Sequence, residues 1–138
     1  MPQLKSPHPI SSRRSLQGLR IIEFFDPKGA LAGKLLADMG ADVVLIQLAV
    51  GNPSRNIPPL HRVNGQSLFF AYFNANKRSV TLDITKAKDR QKLLRLIRRA
   101  DVLIESFQPG YLPSLGLTDT AISKANSKII YASITGFG

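Results

Sequence analysis

Short apolar runs alternate with helical patterns along this chain, and that alternation restricts its fold more than any other feature. Arg20–Phe25 (RIIEFF), Asp42–Leu48 (DVVLIQL), Asp101–Ser106 (DVLIES) and Ile129–Ile134 (IIYASI) are apolar with little polar interruption. Runs of this kind suit strands covered on both faces. Ser79–Ile84 (SVTLDI) alternates Val80, Leu82 and Ile84 and adds a strand. Helical patterns separate these runs. Ala30–Met39 places Leu31, Leu35, Leu36 and Met39 at helical spacing and is stopped by Gly40. Ser67–Phe73 (SLFFAYF) is apolar, fits either state, and is assigned a short helix. Lys86–Ala100 gathers Leu93, Leu94, Leu96, Ile97 and Ala100 on one arc, with Lys88, Lys92, Arg95, Arg98 and Arg99 opposite. Thr118–Asn126 is a short helix with Thr118 as N-cap. Between Ala49 and Gly65, the residues Gly51, Pro53, Pro58 and Pro59 indicate a loop. The order of elements predicts an α/β fold, Rossmann-like, with a mostly parallel sheet and flanking helices. Ligands of such sheets lie at the C-terminal strand ends, here the loops after Phe25, Leu48, Ser106 and Ile134.

Charge is unevenly placed. The 138 residues carry a net charge of +10. Lys5, Arg13, Arg14 and Arg20 contribute +4 before residue 23, and residues 86–99 contribute +6, so the rest is neutral. Residues 1–15 are rich in Pro, Ser and basic side chains and read as a disordered basic leader. They lack the apolar core of a secretory signal, and their Arg13-Arg14 pair with no acid resembles an organellar leader only faintly; a cytoplasmic location is expected. A basic helix can hold nucleic acid or an anionic membrane. No aromatic interleaves the charges at 86–99, so a solvated outer face is the expected role, with nucleic-acid binding a distant alternative.

Several chemistries find no support. There is no cysteine, so no thiolate site, disulfide or cysteine nucleophile exists. The two histidines, His8 and His61, are far apart in sequence and give no metal-site spacing. No apolar run reaches membrane-helix length. Gly29 and Gly33 follow the first strand, but G-A-L-A-G-K-L is neither a dinucleotide fingerprint nor a P-loop. Glu23, alone among apolar neighbours, is expected to pair or cap rather than catalyse.

Four stretches and a closing run carry a more specific signal: LQGLRIIEFF (16–25), LLADMGADVVLI (35–46), FNANKRSVTLDI (73–84), ADVLIESFQPGYLPSLGL (100–117) and KIIYASITGFG (128–138). In this order and spacing they resemble the N-terminal part of the class III CoA-transferases, a family that includes formyl-CoA transferase, carnitine CoA-transferase and 2-methylacyl-CoA racemase. The resemblance implies that residues 16–138 are the front of an incomplete Rossmann-like large domain. It implies coenzyme A or an acyl-CoA as substrate, no covalently bound cofactor, and a homodimer of interlocked subunits in the full-length protein. Transferases of the family use an aspartate nucleophile, and racemases an acid–base pair.

By the resemblance, Lys77 and Arg78 lie near the CoA phosphates, with Asn74 opening the same run. Phe107, Pro109 and Gly110 form the F-x-P-G turn against CoA. Gly29 matches a glycine at the first helix. Gly136 and Gly138 match the G-F-G turn before the active site. The catalytic aspartate of the family lies downstream of that turn, so no catalytic residue is assigned here; Asp101 and Asp119 do not match it. Four departures from the family pattern stand out: Leu45-Ile46-Gln47-Leu48-Ala49 in place of a charged run, Lys28-Gly29-Ala30, Gln108 in the turn, and Ser114 in place of a basic residue. The expected role is therefore the CoA-binding N-terminal segment of such an enzyme, inactive alone. The alternative is a non-catalytic CoA-binding or protein-interaction module. Taken alone, this segment is expected to leave sheet edge and apolar surface uncovered and to self-associate.

Overall fold

A computed structural model describes residues 14–24, 26–49 and 51–136. The leader assigned to residues 1–15 lies outside these apart from Arg14 and Ser15, as do Phe25 and Gly138. The chain runs β1 (Arg20–Phe24), α1 (Ala30–Asp38), β2 (Asp42–Leu48), a 3-10 turn (Pro53–Asn56), α2 (Leu68–Asn74), β3 (Arg78–Leu82), α3 (Ala87–Ile97), β4 (Val102–Glu105), α4 (Tyr111–Ser114), α5 (Asp119–Ala125) and β5 (Ile130–Ser133). The strands form one parallel sheet in the order β3-β2-β1-β4-β5. The chain builds outward from β1 to β3, then crosses to the other side of β1 for β4. The switch point between β1 and β4 is where an open α/β sheet leaves a crevice.

Alternate residues of each strand supply two cores. Ile22, Phe24, Val44, Ile46 and Leu103 pack against Leu93, Ile97 and Ala100 of the α3 region and Ile122 of α5. Ile21, Val43 and Ile104 pack against Ala37 and Ala41 on the α1 side. α3 folds as its pattern predicts: Leu93 and Ile97 are buried, while Lys88, Lys92, Arg95, Arg98 and Arg99 are exposed. Its basic stripe is the helix's outer side. Thr118 caps α5, its hydroxyl accepting from the Ala121 amide at 3.1 Å. Gly40, at φ +101°, ends the first helical segment in the left-handed region that its missing Cβ permits.

The first helix is predicted correctly, but of its expected apolar stripe only Leu36 packs toward the sheet. Leu31, Leu35 and Met39 are 54%, 53% and 47% exposed, and Ala30, Gly33 and Ala37 are buried in their place. The reason is the distance between helix and sheet. A Cβ on Gly33 would collide with the carboxylate of Glu23 in β1. No side chain fits at that point of closest approach, and Leu31, Leu35 and Met39 lie on the opposite face. α4 has no counterpart in the sequence reading. It is a single turn after Gly110, whose φ of +85° starts it.

Candidate functional site

The C-terminal edge of the sheet at the β1/β4 switch point gathers one group of the expected site residues. Gly29 is the N-cap of α1, with no side chain to cap it. The first amides of a helix have no intrahelical acceptor, and the dipole there favours negative charge. Gly29 is buried, and a Cβ on it would lie 3.2 Å from Ile134 Cδ1 and 3.8 Å from Ser106 Oγ, so the glycine lets the start of α1 pack closely against the segments that follow β4 and β5. Ser106 is buried, and its Oγ has no hydrogen-bond partner among the described residues. Lys28 Nζ donates to the Ser106 carbonyl at 2.9 Å, bridging the first loop to the fourth.

The F-Q-P-G turn leaves β4 from a fixed point. Glu105, buried at the strand end, accepts from the Phe107 amide through Oε2 at 2.7 Å. The Phe107 ring meets Phe24 edge-on at 5.1 Å between centroids and Tyr111 at 4.8 Å. Pro109 and Gly110 are exposed beyond it. Below the turn, burial and the Glu105 and Asp119 carboxylates push the Tyr131 hydroxyl up to about 12. Gly136 is exposed after β5, with open space where a Cβ would stand.

Asn74, Lys77 and Arg78 are placed elsewhere. They belong to the α2–β3 turn, which enters the sheet at its N-terminal edge. Arg78 opens β3 beside the start of β2, and makes two contacts to Asp42, Nε to Oδ1 at 2.8 Å and Nη2 to Oδ2 at 2.6 Å. Arg20 Nε donates to the same carboxylate at 2.9 Å. Burial raises the Asp42 carboxyl, but the hydrogen bonds and charges of Arg20 and Arg78 outweigh it and hold the group below the usual carboxylate range. Five residues of strand, roughly 16 Å, separate this edge from the crevice. Asn74 Nδ2 donates to the Phe70 carbonyl at 2.9 Å.

Lys77 points inward under α1. Its Nζ lies 2.6 Å from Glu23 Oε2, and both side chains are 1% exposed. Burial pushes the Glu23 carboxyl up, with Lys77 pulling it partly back; burial also pushes the Lys77 ammonium down against the pull of Glu23. Glu23 thus pairs, as its lone position in an apolar strand suggests. Lys77 is no solvated turn residue, and the chemistry of both cations is engaged by carboxylates of this chain.

Sequence reasoning did not single out Lys28 or Ser106 as a bridge across the crevice. The only available hint was their position at the ends of two neighbouring loops. Among the described residues, no group of three or more His, Cys, Asp or Glu side chains gathers to hold a metal, and no helix is long and apolar enough to cross a membrane.

Comparison with known proteins agrees with this architecture. The family described as CoA-transferase family III matches residues 16–138. Formyl-CoA:oxalate CoA-transferase of Streptomyces avermitilis is 39% identical over 127 residues, which cover 91% of this chain and 31% of that protein. A Mycobacterium tuberculosis protein named probable fatty acyl-CoA transferase Rv3272 is 36% identical over 129 residues, covering 91% and 32%. Among solved structures, Rv3272 superposes with a TM-score of 0.82 at 35% identity, covering 91% of this chain and 35% of that one. A CAIB/BAIF family protein from Brucella suis gives 0.82 at 37% identity, covering 90% and 34%. The chain spans about a third of the length of the relatives it matches.

Proposed function

Because the chain belongs to CoA-transferase family III, we propose that it is the CoA-binding N-terminal segment of an enzyme that exchanges CoA between an acyl-CoA and a carboxylic acid. The observation that carries this reading is the arrangement at the β1/β4 switch point, where the N-terminus of α1 at Gly29, with no side-chain cap, packs beside Ser106 at the head of the exposed turn that Phe107 begins. An open α/β sheet binds ligands there. The dipole at a helix N-terminus suits a phosphate or a polarised carbonyl. The chain contributes a CoA surface made of Gly29, Phe107, Pro109, Gly110 and Gly136, and no nucleophile. The exchange, acyl-CoA plus a second acid giving the first acid plus the second acyl-CoA, needs a carboxylate nucleophile from outside this segment. A homodimer and a cytoplasmic location belong to the same reading.

In this reading Asn74, Lys77 and Arg78 are positioning residues. Lys77 and Arg78 anchor the α2–β3 turn to β1 and β2 through Glu23 and Asp42. They set where β3 enters the sheet, and the ligand contacts come from the opposite edge.

Calorimetry with CoA tests the proposal. Wild-type chain binds, Gly29→Val weakens binding at least about tenfold, about 1.4 kcal/mol, and Arg78→Gln leaves it within about twofold. No binding by a folded wild-type chain overturns the CoA reading. Loss of binding in Arg78→Gln with the fold intact returns that arginine to the ligand. CoA exchange between two acids by the 138-residue chain alone overturns the assignment of no nucleophile.

A further inference from the structure

A second concavity lies away from the crevice, beside β2 and α2. It encloses about 410 Å³ and is lined by Arg55, Gly65, Gln66, Ser67, Phe70 and Ala71. None of these residues belongs to the β1/β4 crevice. Arg55 is solvent-exposed yet held at two points. Its Nη2 donates to Gln47 Oε1 at 2.9 Å, and its Cζ stands 4.1 Å from the centroid of the Phe70 ring. Among the described residues no carboxylate lies within ion-pair distance of it, and unlike the basic residues of the outer face of α3 it lines a concavity and rests on an aromatic ring.

The surroundings of Arg55 are fixed as well. The Asn52 side chain accepts from the Ser54 amide at 3.1 Å and from the Ser54 hydroxyl, closing the 3-10 turn that carries the arginine. The opposite wall is tied by Ser67, whose Oγ donates to the Ile57 carbonyl at 2.5 Å and accepts from the Phe70 amide at 3.0 Å, and by the Leu60–Ser67 bridge. One guanidinium N–H is spent on a neutral amide oxygen, and an aromatic face supports the plane. The full charge remains, and the other donors keep the fork geometry that fits a carboxylate or phosphate. An anchor already immobilised loses little rotamer freedom when a ligand arrives.

We infer that this cavity binds an anionic oxygen group, a carboxylate or a phosphate, with Arg55 as its anchor. Phe70 and Ala71 receive the apolar body next to that group. Gln66 is the neutral polar side chain on the wall. The inference goes beyond the CoA reading and does not depend on it.

Amide and guanidinium NMR of the 138-residue chain tests it without CoA. Inorganic phosphate and butyrate are titrated separately at constant ionic strength, with sodium chloride as control. Expected are saturable shifts at Arg55 Nε–H and the Gly65 and Gln66 amides below about 50 mM, weaker than about 2 kcal/mol of binding being no site at all. Saturation by phosphate alone assigns a phosphate ligand, and saturation by butyrate alone a carboxylate. Arg55→Gln is expected to weaken binding at least about tenfold, the scale of a lost charge-assisted hydrogen bond. Arg55→Lys keeps the charge without the fork and is expected to fall between the two. Linear shifts with both anions overturn the site, as do equal shifts with chloride or undiminished binding in Arg55→Gln. The exposed position of Arg55 predicts an unchanged melting temperature for both variants, which separates loss of the site from loss of the fold.

Discussion

Lys77 Nζ lies 2.6 Å from Glu23 Oε2 beneath α1, with both side chains almost wholly removed from water. The pair ties the α2–β3 turn to the centre of β1. A buried ion pair adds little net stability over an apolar one, but removing one partner strands a charge. Lys77→Met is therefore expected to cost about 3–5 kcal/mol in denaturant unfolding. Adding Glu23→Gln to it should recover most of that loss. A double variant as unstable as the single one would refute the coupling.

The same pair predicts a pH dependence. Burial raises the folded-state pKa of Glu23 above 4.5, against the partial pull of Lys77. The folded state then binds a proton more readily than the unfolded state. Stability falls as pH rises from 4.5 through the folded pKa, and is level beyond it. Lys77, lowered from 10.5 chiefly by burial, works the other way: stability rises with pH from its folded pKa up to 10.5. Glu23→Gln should remove the acid-side slope. Stability curves between pH 4.5 and 8 for the two proteins check it.

Gly33 decides how closely α1 approaches the sheet. In an exposed helix interior, Gly→Ala gains roughly 0.5–1 kcal/mol. Here the added Cβ would run into the Glu23 carboxylate, so the expected sign is reversed. Gly33→Ala should destabilise by about 1–3 kcal/mol, the usual scale of overpacking. A more stable Gly33→Ala variant would show that α1 can lift freely.

The leucines of the two long helices should respond in opposite ways. Leu93→Ala, in the buried face of α3, is expected to cost about 2–5 kcal/mol. Leu35→Gln, on the exposed face of α1, should change the folding free energy of the monomer by no more than about 0.5 kcal/mol. Chemical denaturation at low protein concentration measures both.

Acid should release the N-terminal edge of the sheet. Asp42 is held below the ordinary 3.8 because the Arg20 and Arg78 contacts outweigh its burial. A depressed carboxyl contributes stability above its unfolded pKa and loses it as pH falls through the folded one. Arg78→Gln should shrink that contribution, moving the acid-unfolding midpoint to higher pH. The effect at pH 7 is small, about 0.2–1 kcal/mol, because the Arg78 side chain is 65% exposed.

The order of the strands and of the helices other than the one-turn α4, the parallel α/β class, the buried face of α3, the Thr118 cap and the Gly40 stop are all legible in the linear chain. Each of these depends on periodicity or on the preferences of one residue, which survive in the linear chain. Its motifs also led to the family, since runs such as NKRSVTLD keep their spacing without a fold. Which face α1 buries, and which partners Glu23, Lys77 and Arg78 take, emerges only from the folded arrangement. Leucines at helical spacing in α1 imply a sheet-facing stripe, yet the Glu23 carboxylate, from a strand residue ten positions earlier, leaves room for no side chain at Gly33, and Leu31, Leu35 and Met39 lie on the exposed face. Lys77 and Arg78 are adjacent in sequence, but one reaches Glu23 under the helix and the other Asp42 at the sheet edge. The expected site residues consequently divide between opposite ends of the strands. Pairing distances and the gap between helix and sheet are set by residues far apart in the chain, and no local pattern encodes them.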